Sequence, residues 1–461
     1  MDRRSLLLGG SALLATPRAA FTAPASPPRP PNFVVILCDD LGYGDVNLDR
    51  PDHKGGGVIP TPNLARMARE GVTLTDYYAP ANLCTPSRAG LLTGRYPVRT
   101  GLGYEVIMQA DDRGLPLTEV TIPKALGDTH VSGLFGKWHL GHTAAHWPPT
   151  RHGFDTFYGI PYSHDMAPLS LFEAHAGVAE VKQGPVDLPN LQQSFYAHAE
   201  AFIEANQHRP FFVELALSAP HLPSHPRAGA ATDGPAGPYG ATVTEIDGIV
   251  GRLLDKLKSL GLDRDTLVIF TSDNGPWFEG STGGLRERKG GSGFDGGYRV
   301  PFIARQPGRL PAGQQVNSIA MGIDILPTLC AMAGRALPAG VELDGRDLTA
   351  VLTRGAPSPH EALILFDNET PVGVRTQRWK YVSSAYYRGA RFPLETLGYT
   401  ELFDVAGDPS ESYNVSAAHP EVAAGLKTRL ARARTEFAPY RHADIPPVFK
   451  QLHSMLEHLQ D

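Results

Sequence analysis

The chain has 461 residues, 42% of them hydrophobic and 20% charged, with Gly 49 and Pro 41. That balance excludes a coiled coil and a disordered polyelectrolyte, leaves room for a large buried core, and promises many shaped loops, where sites are built. A net charge of −6 gives no electrostatic footprint for nucleic acid, whereas 17 histidines invite a search for metal or proton-transfer chemistry.

Residues 1–25 read as an export signal. Arg3 and Arg4 precede the apolar stretch from Ser5 to Ala15, and small residues follow at Ala20 and from Ala23 to Ala25. The paired arginines fit either the Sec or the twin-arginine route, so a periplasmic or extracellular location is expected. Residues 26–31 form a proline-rich lead-in. No later stretch reaches about 18 uninterrupted apolar residues, so no membrane span is expected once the signal is removed. Three cysteines, Cys38, Cys84 and Cys330, exclude a disulfide scaffold.

Asn32 to Cys38 is a continuous apolar run rich in β-branched residues, which suits a strand buried on both faces. It stops at Asp39-Asp40 and the turn-like Leu41 to Asp45. Phe211 to Leu217, ending before His221, and Thr266 to Phe270, ending before Asp273-Asn274, read the same way. Between them Ile246, Ile249, Val250, Leu253, Leu254, Leu257 and Leu260 recur at helical spacing. Strand, helix and strand with polar residues at the strand ends predict an α/β fold whose ligands sit beyond the carboxyl ends of the strands. A catalytic domain is expected over 32–345. Beyond it, short runs at Ala362 to Phe366, Val372 to Arg375, Lys380 to Ser383 and Glu401 to Asp404 precede an amphipathic helix over Pro420 to Phe437. They predict a C-terminal subdomain, 346–461, with a small antiparallel sheet and one helix.

Chemistry concentrates at few places. Thr85-Pro86 suits a helix start and Gly94 a stop, which puts Cys84 at a helix N-terminus favourable to anions, with Arg88 on the same face. A lone cysteine there is more often a buried structural thiol; Cys38 and Cys330 read so. Asp39, Asp40, Asp273 and Asn274 supply hard oxygen donors that suit Ca²⁺ or Mg²⁺, although each alone reads as a turn or cap residue. Three carboxylates brought together repel without a cation, so the metal-free site is expected to be destabilised. On an extended segment Lys137 and His139 point to one side and Trp138 to the other; unaided, the pair reads as solvated surface. Lys289, in a glycine-rich loop, reads as exposed.

Together these motifs resemble those of the type I sulfatases. Cys84-Thr85-Pro86-Ser87-Arg88 with Leu91-Leu92-Thr93-Gly94 resembles the signature in which that family's cysteine is oxidised to formylglycine. Asp39 to Asp45 resembles its N-terminal metal motif, Gly136-Lys137-Trp138-His139-Leu140-Gly141 its second signature, and Ser272-Asp273-Asn274-Gly275 its distal metal pair. Lys289-Gly290 with Phe294-Asp295-Gly296-Gly297 resembles the last active-site lysine segment. Gly159 to Asp165, which contains Ser163, resembles the arylsulfatase A and N-acetylgalactosamine-6-sulfatase branch, and Glu401 to Asp404 with Asp408-Pro409 and Glu411 resembles the family's C-terminal subdomain.

The resemblance implies an alkaline-phosphatase-like fold, a large and mostly parallel sheet flanked by helices, and hydrolysis of aryl or sugar sulfate monoesters. It implies a formylglycine formed from Cys84 by a formylglycine-generating or sulfatase-maturating enzyme, whose hydrate attacks sulfur with one hydroxyl and expels sulfate with the other. Asp39, Asp40, position 84, Asp273 and Asn274 are implied ligands of Ca²⁺, with Mg²⁺ as the other choice. Arg88, Lys137 and Lys289 are implied cations, His221 the acid for the leaving alcohol, His139 the base for sulfate release, and Ser163 a hydrogen-bonding support. Specificity is expected from the loops Tyr104 to Arg113 and Trp277 to Arg288, where Arg286 and Arg288 read as solvated. A phosphodiesterase or phosphonate hydrolase on the same scaffold is the alternative chemistry, separable by paired rates on aryl sulfates and phosphates. A non-catalytic binder of sulfated glycans would require broken catalytic positions, and none is broken.

Overall fold

A computed structural model describes residues 29–48, 58–387, 390–392 and 394–442. The export signal expected over residues 1–25 lies outside them. Ten strands form one mixed sheet, and its centre is built as the apolar runs predict. We label β1 (Asn32–Asp39), β2 (Val131–Lys137), β3 (Thr156–Ile160), β4 (Phe211–Pro220), β5 (Thr266–Ser272) and β6 (Phe302–Arg305). They lie in the order β6-β5-β1-β4-β2-β3, parallel throughout except that β6 runs antiparallel to β5. Short strands extend both edges: Val72–Leu74 and Gln314–Val316 beyond β6, Phe172–His175 and Val181–Lys182 beyond β3.

The alternation along β1 explains why its sequence is apolar without interruption. Phe33, Val35 and Leu37 face one core cluster, together with Leu91 and Leu92 of helix α1 (Cys84–Thr93). Val34, Ile36 and Cys38 face another, packed on helices α2 (Leu191–Asn206) and α3 (Gly237–Ser259). Both faces are covered, so both sets are buried. The expected helical stripe is present in α3, where Ile246, Ile249, Val250, Leu253, Leu254 and Leu257 are buried.

The C-terminal region forms the small antiparallel sheet, β7 (Leu363–Asp367), β8 (Thr370–Arg375), β9 (Trp379–Val382) and β10 (Glu401–Asp404), with helix α4 (Pro420–Phe437) packed on it. Its seam with the large sheet is ionic as well as apolar. The fully buried Lys380 ammonium donates to Asp295 Oδ1 at 2.6 Å and pairs with Glu411 Oε1 at 2.6 Å. Arg375 Nη2 donates to Asp76 Oδ1 at 2.6 Å, so two strands of the small sheet each send a cation to a carboxylate in the part of the chain that forms the large sheet. No helix among the described residues is long and apolar enough to cross a membrane.

Glu214 breaks the apolar pattern of β4. It pairs in register with Val35 of β1 and Leu134 of β2, and its Oε2 has no hydrogen-bond partner. Burial pushes its carboxyl from 4.5 up to about 7, with Arg88 opposing. The folded value lies above the unfolded one, so this group's contribution to stability is full below pH 4.5 and is lost as pH rises through 7. In Glu214→Gln that loss should vanish. Urea unfolding at pH 5 and pH 8 should show the variant gaining on the wild type by about 3 kcal/mol at the higher pH. A constant difference across that range would mean that Glu214 does not change charge there.

Candidate active site

Adjacent parallel strands end on the same edge, and that edge collects the polar residues predicted from scattered sequence. β1 delivers Asp39 and Asp40, β5 delivers Asp273 and Asn274, β4 leads to His221, and β2 ends at Lys137. The register Cys38↔Ser272 puts Asp39-Asp40 and Asp273-Asn274 side by side. Asp40 takes a left-handed φ of 62°, and its backbone N–H donates to Asp273 Oδ1 at 3.2 Å. Ser272, not singled out in the sequence, helps hold this turn: its Oγ accepts from Leu41 N–H at 2.9 Å and donates to the Asn274 carbonyl at 3.0 Å.

Helix α1 begins at Cys84 itself and ends against Gly94, whose φ of 69° is the left-handed cap that glycine favours. Cys84 and Arg88 therefore share a helical face, as expected. Cys84 Sγ donates to Asp39 Oδ1 at 3.3 Å and accepts from Lys289 Nζ at 3.3 Å. Arg88 Nε and Nη2 reach Asp273 Oδ2 at 2.9 and 2.8 Å, while Nη1 donates to the Lys137 carbonyl at 3.0 Å. Lys137 Nζ donates to Asp39 Oδ2 at 2.6 Å, and Lys289 Nζ to Asp40 Oδ2 at 2.8 Å. Each of the three carboxylates thus has its own cation.

Two surface readings fail here. Lys137 and His139 are both buried to 1% exposure and Lys289 is partly buried, the two lysines drawn inward by their carboxylates. Nor is the Lys137–His139 segment extended: β2 stops at Lys137, and His139 has a φ of 59°, so the two-residue alternation does not carry through. His139 Nε2 donates to the Ile107 carbonyl at 3.0 Å, leaving Nδ1 buried without a partner. Thr85, missed in the sequence, ties this corner to α1. Its Oγ1 donates to the His139 carbonyl and accepts from Ile107 N–H, each at 3.0 Å. The hydrogen-bonding support expected of Ser163 is not made: its Oγ is buried without a partner. Arg288 is exposed, as expected, whereas Arg286 is half-buried. Arg286 lies 4.0 Å from the Phe294 ring centroid, and Arg288 donates to the Trp277 carbonyl at 2.8 Å.

The electrostatics follow from burial. It pushes the Cys84 thiol well up, against Lys137 and Lys289, so the residue as encoded is a protonated thiol. Burial would also raise Asp39, but Lys137, His221, Arg88 and Lys289 outweigh it and hold that carboxyl well below its ordinary value. Burial, only partly offset by Arg88, raises Asp273. Both histidines are lowered by burial, His139 further by Lys137 and Arg88, whereas Asp39 and Asp40 oppose the shift at His221.

Donor atoms of Asp39, Asp40, Cys84 and His221 lie within 4.8 Å of one another, a grouping able to hold a metal ion. Asn274 supplies the sharper test. Its Nδ2 donates to Asp40 Oδ1 at 2.7 Å and to the Gly275 carbonyl at 2.8 Å, so Oδ1 is left buried and without a partner. An orphaned amide oxygen beside carboxylates fits a hard cation. The thiol and imidazole, which the sequence did not place together as donors, would favour a softer ion. Conversion of Cys84 would remove the sulfur.

Residues 31–335 match the family model described as Sulfatase, and 293–436 match that described as N-sulphoglucosamine sulphohydrolase, C-terminal. The chain belongs to the sulfatase family. It is 36% identical to human arylsulfatase A, over 94% of this chain and 92% of the relative. It is also 36% identical to the dog N-acetylgalactosamine-6-sulfatase, over 75% and 70%. A crystal structure of a Pseudoalteromonas sulfatase superposes with a TM-score of 0.82 at 28% identity, covering 91% of this chain and 92% of that one. The protein is accordingly a sulfatase, an enzyme that hydrolyses sulfate esters.

Proposed function

We propose that this sulfatase cleaves sulfate monoesters of aryl or sugar alcohols at position 84, after Cys84 has been converted to formylglycine. The observation that carries the reading is the ring of Arg88, Lys137 and Lys289 around a buried residue at a helix N-terminus, beside carboxylates and an orphaned amide oxygen. The hydrated aldehyde would supply one oxygen to displace the alcohol from sulfur and a second whose deprotonation lets sulfate leave. A divalent cation held by Asp39, Asp40, Asp273, Asn274 and position 84, Ca²⁺ or Mg²⁺ by its oxygen set, would supply fixed positive charge.

The remaining steps fall to the chain's own side chains. Arg88, Lys137 and Lys289 offset charge that spreads over the sulfuryl oxygens as the sulfur–oxygen ester bond breaks. His221 donates Nδ1–H to the Leu222 carbonyl at 2.6 Å. When the ring carries its second proton, the charged form that Asp39 and Asp40 favour, Nε2–H, 3.5 Å from Asp40, passes that proton to the departing ester oxygen and leaves the imidazole neutral. His139, with Nε2 committed to a carbonyl, offers neutral Nδ1 as the base for sulfate release. The reading includes an exported enzyme, a maturation enzyme as partner, and a division between the two domains near residue 345.

Mass analysis of the peptide containing position 84 tests it. Active protein should be lighter than the cysteine form by the exchange of thiol for aldehyde; full activity with cysteine alone would refute the mechanism. His221→Ala tests the acid. Loss of a general acid typically costs about 10²–10⁴-fold, and the cost should fall mainly on sugar sulfates, whose alkoxides leave poorly. Activated aryl sulfates should be slowed far less. Equal losses across a leaving-group series would remove His221 from that role.

A further inference from the structure

Trp277 and Phe278 follow the Ser272–Gly275 motif and take no part in the chemistry above. Trp277 is partly buried, with its ring centroid 5.6 Å from that of His221 and 5.3 Å from Lys289 Nζ. Phe278 stacks on it at 4.5 Å with a tilt of 31° and is 73% exposed. The loop that carries them is fixed from behind. Arg288 Nη1 donates to the Trp277 carbonyl at 2.8 Å and to the Gly280 carbonyl at 3.1 Å, and Lys289 N–H donates to the Pro276 carbonyl at 3.1 Å.

We propose that Trp277, extended outward by Phe278, is the platform on which the ring of the leaving alcohol lies, so that this enzyme prefers sulfate esters of rings with a flat apolar face. The proposal rests on the sulfatase reading above. Whatever is bonded to the ester oxygen at His221 must pass within van der Waals reach of the indole, because the two rings are neighbours. A pyranose face, with its outward C–H bonds, or an aromatic ring can lie against the negative face of the indole and shed water there. Shielding Lys289 from solvent would need Trp277 alone; an exposed phenylalanine stacked on it shields nothing and lengthens the apolar surface away from sulfur. The clamp by Arg288 holds the platform before substrate arrives, which lowers the entropy cost of binding.

The test compares wild type, Trp277→Ala and Trp277→Phe on 4-nitrophenyl sulfate and glucose 6-sulfate, with inorganic sulfate as a competitive inhibitor. Trp277→Ala should raise KM for ring esters by about tenfold, and Trp277→Phe should recover most of it. The inhibition constant of inorganic sulfate, which has no ring, should stay within about twofold. A KM effect on one ester only assigns the platform to aromatic or to pyranose rings; an effect on both assigns it to either. Unchanged KM for both esters, or sulfate inhibition weakened in parallel, would overturn the proposal, the latter by showing that Trp277 acts through Lys289. If wild type released sulfate from neither ester, the sulfatase reading would fail on its own. The platform would then be judged by calorimetric binding of the same esters, tenfold weaker binding to Trp277→Ala supporting it and equal binding overturning it.

Discussion

Cys84→Ala is expected to lower sulfate release by about 10⁴-fold or more while leaving the protein folded, as when other catalytic nucleophiles are removed. Cys84 is 1% exposed and sits at the first position of a ten-residue helix with no side-chain cap of its own, so alanine removes one sulfur atom and no structural hydrogen bond of the backbone. The cavity should cost only about 1 kcal/mol. The three cations would keep their carboxylates, since Arg88, Lys137 and Lys289 pair with Asp273, Asp39 and Asp40 independently of the sulfur. Binding of sulfate should therefore persist in the variant when turnover is gone. Steady-state sulfate release, a thermal melt and sulfate inhibition of any residual rate separate these effects. A variant that keeps more than a few per cent of activity would move the nucleophile elsewhere.

Much of this architecture was legible because strands buried on both faces cannot carry polar residues without showing it. The apolar runs at Asn32, Phe211 and Thr266 became β1, β4 and β5, and the polar residues just past each run met at one edge. The helix over Pro420 to Phe437 was read with the limits it has in the structure. What the sequence hid was compensation at a distance. Lys137 and Lys289 read as surface residues by composition, and they are drawn inward because carboxylates nearly a hundred or more residues away neutralise them, Asp39 for Lys137 and Asp40 for Lys289, while His139 is buried with its Nε2–H donated to the Ile107 carbonyl. Local alternation also misled at His139, where a left-handed residue turns the chain and no pattern in side-chain type announces it. Thr85 could have been found, since a hydroxyl one residue into a helix beside a candidate nucleophile has few bland uses. Ser163 remains without a hydrogen bond that would explain it.

Removal of the divalent cation should abolish activity yet lower the melting temperature by only a few degrees. From the sequence alone, three carboxylates at one point predict strong mutual repulsion, on the order of 4 kcal/mol per close pair at an effective dielectric of about 20. The structure changes that balance. Arg88 at 2.8 Å from Asp273, Lys137 at 2.6 Å from Asp39 and Lys289 at 2.8 Å from Asp40 neutralise all three without a metal. A cation added to this neutral set leaves a net positive site, which is what a sulfate ester and its anionic product require, so the metal's free energy goes chiefly into anion binding and turnover. Exhaustive chelation followed by a melt, sulfate-release rates and sulfate inhibition should show the rate falling to background and sulfate binding weakening. Ca²⁺ or Mg²⁺ should restore both. Full activity after metal removal would refute the ligand set of Asp39, Asp40, Asp273 and Asn274. A collapse of the melting temperature, by contrast, would show that the lysines leave the carboxylates when metal binds, so that the pairs described here do not hold the site together.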